Sequence, residues 1–92
     1  MNGSFVVKHG RHDSEAFDPL KLHSSLAAAC LSTRAYEGAA DLTAQRVCRH
    51  VIDWLMGRTE VTTADIRRVA AEHLARYDED AAYLYEQHGV MV

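Results

Sequence analysis

Two lysines, a histidine and a glutamate gather around one early glycine turn. They are Lys8, His9 and Glu15, followed by Lys21 just inside the next predicted helix. Lysine ammonium groups are full point charges that suit phosphate, and a carboxylate accepts from an amino donor. Further along, Thr63 and Arg67 stand four apart, the spacing that puts two side chains on one helix face. Each residue has a plainer reading beside this one. Lys8 and Lys21 are also ordinary solvated lysines, and Glu15 can pair with Lys8 across the hairpin as a surface contact of little energetic weight. Thr62 or Thr63 serves as a helix cap. Arg67 and Arg68 fall on the outer face of any helical wheel that buries Ile66 and Val69.

Other chemistry is less well supplied. Of the six histidines, His9 and His12 are three apart in a turn, but no nearby cysteine or carboxylate set completes a tetrahedral metal site. Cys48 and His50 are two apart and point to different helix faces. Cys30 and Cys48 read as small core residues of a reduced protein. There is no GxxxxGK[ST] loop, no carboxylate pair at metal-holding spacing and no nucleophile–base arrangement, so no enzyme is expected. A net charge of −3 leaves no basic stripe for nucleic acid. The longest apolar run, around "LAAACL", is too short to span a bilayer, and "MNGSFVVKHG" carries no secretory signal, so the expected setting is the cytoplasm.

With 92 residues, 48% of them hydrophobic, the chain suffices for one core. Residues 1–4 read as a disordered start, 5–88 as the domain and 89–92 as a tail. Phe5–Lys8 favours a strand, Gly10 turns the chain, and "SEAF" at 14–17 returns as the second arm of a long hairpin. Asp18-Pro19 is a helix start, since aspartate caps free backbone donors and proline at the first position loses no needed bond. Leu22, Leu26, Ala29 and Cys30 then recur at helical spacing. A second helix is predicted over about 39–56, with Val47, Val51, Trp54 and Leu55 inward and Gly57 as its stop. Glu60-Val61 reads as a short strand before a third helix whose inner side carries Ile66, Ala70, His73, Leu74 and Tyr77. Asp78–Asp80 opens a fourth, and His73 reads as a hydrogen-bonded core histidine. Trp54, Tyr77, Tyr83 and Tyr85 are expected to pack in the core or under the sheet, with exposed aromatics as interface residues otherwise. The predicted class is α+β, mostly α: a four-helix bundle capped by a small three-stranded sheet, built from the hairpin and the strand before the third helix.

Three stretches, "VVKHG", "EAFDPLKL" and "VTTADI", with "DEDAAYLY" as a weaker fourth, stand in the order and spacing of a known module. The chain resembles an ATP-cone domain, the regulatory nucleotide-binding module of ribonucleotide reductases and of the zinc-ribbon repressor of reductase genes. The likeness runs from about Phe5 to Tyr85, and the family fold is the capped bundle just described. The resemblance implies ATP or dATP, with or without Mg2+, lying between the sheet and the helix starts. It puts Lys8 and Lys21 on phosphate, Glu15 on the adenine, Val7 at the strand with backbone contacts, Thr63 near the base and Arg67 by the sugar.

The sequence also departs from the family pattern. His9 stands where the family carries arginine, which makes phosphate attraction depend on pH. The aspartate before Gly10 is missing, and the turn is longer by one residue. No Lys or Arg follows Arg76. The resemblance thus implies a stand-alone sensor with weaker or altered binding, acting on a separate reductase or repressor chain or on another copy of itself. No nucleic acid or membrane is implied. Its alternative is a degenerate cone that serves as an interaction module without ligand.

Overall fold

A computed structural model describes residues 6–8, 14–58 and 60–87, with side chains from Phe17 onward. Its elements follow the chain as β1 (Val6–Lys8), β2 (Ser14–Ala16), α1 (Pro19–Ser32), α2 (Glu37–Leu55), β3 (Glu60–Thr62), α3 (Thr63–Leu74) and α4 (Glu79–Gln87). The segments expected at 1–4 and 89–92 lie outside the described residues.

Local chemistry accounts for several helix ends. The Asp18 carboxylate accepts from the Leu20 amide at 2.9 Å, and Pro19 takes the first helical position. Thr62 closes a capping box with Asp65: its hydroxyl accepts from the Asp65 amide at 3.0 Å, while the Asp65 carboxylate accepts from the Thr62 amide at 3.3 Å. Hydrogen bonds donated to the carboxylate by the Thr62 amide, then by its hydroxyl, hold the Asp65 carboxyl below its ordinary range, with Arg68 adding to the effect. After α2, Gly57 adopts φ +86°, a left-handed conformation that glycine enters without a Cβ penalty.

The helices pack on one apolar interior. Leu22, Leu26, Ala29 and Cys30 of α1 meet Ala40, Ala44, Val47, Val51 and Leu55 of α2. Ile66, Val69, Ala70 and Leu74 of α3 and Ala81, Ala82 and Tyr85 of α4 close the remaining sides. Each fully buried leucine contributes about 1.5–3 kcal/mol through removal of its surface from water.

The expected capping sheet is corrected. Four helices supply the whole described core except Val61. The strands are three residues each and pair edge to edge, β1 antiparallel to β2 and parallel to β3. Among the described elements, only β3 packs closely against a helix, its neighbour α3. Such stubs form no layer over a bundle, so the class is a helical fold and not an α+β fold with a sheet cap. The physical reason lies in β3, which alternates exposed, buried, exposed and so offers a single inward side chain, Val61. A capping layer needs an apolar face; here the helical stripes bury themselves against one another instead.

The aromatic residues also sort differently from expectation. Tyr85 is fully buried, whereas Tyr77 and Tyr83 are exposed. Tyr77 follows the end of α3, where its backbone amide turns back to the Leu74 carbonyl, so it does not continue the inner stripe of that helix. Trp54 is half-buried at the core margin with the Arg58 guanidinium 4.3 Å above its ring.

Candidate functional site

Ser25 is the one buried polar residue on the inner stripe of α1. Its hydroxyl donates to the Leu22 carbonyl at 2.8 Å and therefore accepts from the Tyr85 hydroxyl, 3.1 Å away on α4. Burial pushes the Tyr85 phenol up to about 12, opposed by the Ser25 hydrogen bond and by the nearby Arg67 guanidinium. Tyr85 thus stays a neutral donor. Arg67 reaches this seam from α3, and its Nε is buried without a hydrogen-bond partner among the described residues. A buried guanidinium donor left open costs free energy until an acceptor meets it.

The expected positions divide around this seam. Lys21 occupies the first turn of α1, exposed, one helical turn before Ser25 and on the same side of the helix. Thr63 opens α3 and is half-buried, and it is its neighbour Thr62 that caps the helix. Arg67 departs from the outer-face expectation: its neighbour Arg68 is exposed and bridges Asp65 and Glu72, while Arg67 turns inward toward Tyr85. Only α4, remote in sequence, supplies the phenol that Arg67 faces. The side chains of Val7, Lys8 and Glu15, and the whole of His9, lie outside the described residues. The strand backbones nonetheless set Val7 across from Glu15, and Lys8 across from both Ser14 and Thr62. That register brings Lys8 beside the start of α3.

Ser25 and Tyr85 escaped the sequence reading as functional candidates. One signal was present: a serine between Leu22 and Leu26, at core spacing on an otherwise apolar stripe. The 60-residue separation between Ser25 and Tyr85 gives no local cue.

His73 departs from the hydrogen-bonded core histidine expected. It is half-buried, stacks on His50 of α2 with ring centroids 4.5 Å apart and planes 2° from parallel, and leaves Nδ1 buried without a partner among the described residues. Desolvation, then the His50 and Arg76 charges, lower its pKa, with Glu72 opposing. Cys30 and Cys48 are free and buried. Burial pushes the Cys48 thiol up to about 11, which suits a core residue and not a nucleophile. No group of three or more potential metal ligands assembles among the described residues.

No family model matches the chain, and no curated protein or solved structure is significantly similar to it. Nothing in the structure or the comparisons points to an enzyme. No helix among the described residues is long and apolar enough to cross a membrane.

Proposed function

We propose that this chain is a stand-alone regulatory domain that binds ATP or dATP, with or without Mg2+, and thereby controls a partner protein or its own association. The observation that carries the reading is the open Arg67 Nε beside the buried Ser25–Tyr85 pair, one turn from the start of α3. A sugar hydroxyl or a phosphate oxygen is the acceptor such a donor lacks. Lys21 supplies full charge from the start of α1, and the backbone register sets Lys8 beside the start of α3. Helix starts add fixed partial charge. In this reading Lys8 and Lys21 hold phosphate, and Glu15 takes the adenine amino group. Val7 contributes backbone groups, His9 adds attraction that grows on acidification, and Thr63 lies near the base. The likeness of "VVKHG", "EAFDPLKL" and "VTTADI" to the ATP-cone pattern supports the same assignment.

Coupling follows if nucleotide prefers one conformation or assembly state over another. The partner is then a separate ribonucleotide reductase, a repressor, or a second copy of the chain. The free cysteines suit a reducing, cytoplasmic setting. Isothermal calorimetry with ATP and with dATP tests the proposal. Lys8→Ala, Lys21→Ala and Arg67→Ala should each weaken binding by about 1–3 kcal/mol, as lost charge-assisted contacts do. Unchanged affinity in all three would place the nucleotide elsewhere. No heat and no melting shift with either nucleotide would leave the second reading, a ligand-free interaction module, which the exposed Leu20, Tyr36 and Tyr83 favour.

A further inference from the structure

The outer side of α2 carries a second arrangement suited to an anion, distinct from the Arg67 seam. Leu42, Gln45, Arg46, Arg49 and His50 recur at i, i+3, i+4, i+7 and i+8, so they share one stripe of the helix. With Tyr77, from the turn between α3 and α4, they line an open hollow of about 420 Å³. That volume falls in the range of small-molecule sites. Neither Arg46 nor Arg49 makes a hydrogen bond or ion pair with any described residue. Two like charges one turn apart on a helix repel. An acidic chain of net charge −3 nevertheless presents both to the same hollow. Beside them His50 is fixed from behind by its stack on His73.

We infer that this hollow binds the phosphate group of a small phosphomonoester, with Arg46, Arg49 and His50 as donors and the exposed Tyr77 ring as a wall for the organic portion. Guanidinium groups match phosphate geometry with paired N–H donors, and a phenol ring offers a face on which a flat group stacks. Gln45, whose amide nitrogen donates to the Asp41 carboxylate at 3.0 Å, adds a neutral polar group at the same rim. Leu42 supplies an apolar edge.

The test is a titration of the isotopically labelled chain followed by amide and side-chain NMR shifts at constant ionic strength, with inorganic phosphate and AMP as probes. Saturable shifts should centre on Arg46, Arg49, His50 and Tyr77, with AMP binding more tightly than phosphate. The double variant Arg46→Glu, Arg49→Glu should lose both responses while keeping the unliganded spectrum of the core, since both side chains are exposed. Tyr77→Ala should bring AMP down to the affinity of phosphate. Arg67→Ala should leave all these shifts in place, which separates this site from the nucleotide seam. Absence of saturation with either probe would overturn the inference. So would retention of the shifts in the double variant, or equal affinity of the native chain for phosphate and AMP.

Discussion

The α1–α4 contact and the α2–α3 contact handle buried polar groups in opposite ways. Between α1 and α4, polar groups find partners. Tyr85 meets Ser25, and Asp78 uses both carboxylate oxygens, one accepting from the Ala81 amide at 3.0 Å and the other from the Thr33 hydroxyl at 2.7 Å. That aspartate caps α4 and ties it to the end of α1, where the chain also turns through Arg34 at φ 72°. Between α2 and α3, two imidazoles stack face to face and His73 leaves a nitrogen without a partner among the described residues. Satisfied pairs stabilise the folded state, whereas open donors cost stability and remain free to meet a ligand. The first contact therefore reads as architecture. The second, like the open Arg67 donor, reads as a place where something else can bind.

The largest test of this contrast is at Tyr85. Tyr85→Ala removes a fully buried ring and should cost about 3–5 kcal/mol in urea unfolding. Tyr85→Phe should cost only about 1 kcal/mol, because the Ser25 hydroxyl keeps its bond to the Leu22 carbonyl. Equal losses in the two variants would mean that the hydrogen bond, and not the ring, holds α4 in place. Asp78→Ala comes next: losing the cap and the Thr33 contact together should lower stability by about 1–2 kcal/mol. A Thr33→Val change added to it should cost little more, since the shared bond is already gone. Additive losses would show that the two ends are not coupled through that carboxylate.

The smallest effect is expected at His73, and it depends on pH. Its lowered pKa means that the folded state disfavours the charged imidazole, so the unfolded chain binds more protons as the solution is acidified. The contribution of His73 is full above its ordinary value near 6.5 and is lost as pH falls toward the lowered folded value. Unfolding free energy should therefore fall as the solution is acidified below about pH 6.5, and His73→Gln should flatten that part of the profile. An unchanged slope in the variant would assign the pH dependence to other groups.

Much of the fold was legible because its signals are local. The Asp18-Pro19 start, the Gly57 stop and a threonine cap at Thr62 or Thr63 each involve residues within a few positions of one another. The apolar spacing of Leu22, Leu26, Val47, Val51 and Ile66 marked the inner faces for the same reason. The site was less legible. Arg67 reads as an outer-face residue on its own helix, since the wheel shows nothing of α4, where Tyr85 waits. Tyr77 continues the inner spacing of α3 on paper, but the helix has ended before it. The three strand segments were visible as β-prone, yet propensity says nothing of whether they cover the helices or merely pair at their side.

By itself, the sequence determined where α1, α3 and α4 begin, where α2 stops and which helix faces are apolar, because capping and periodicity act over one or two turns. Only the tertiary structure decided that Arg67 turns inward, that Ser25 pairs with Tyr85, that His73 stacks on His50 and that the strands form no cap. Each of those outcomes depends on a partner brought close by packing of distant elements, and packing energies are settled by the whole core at once.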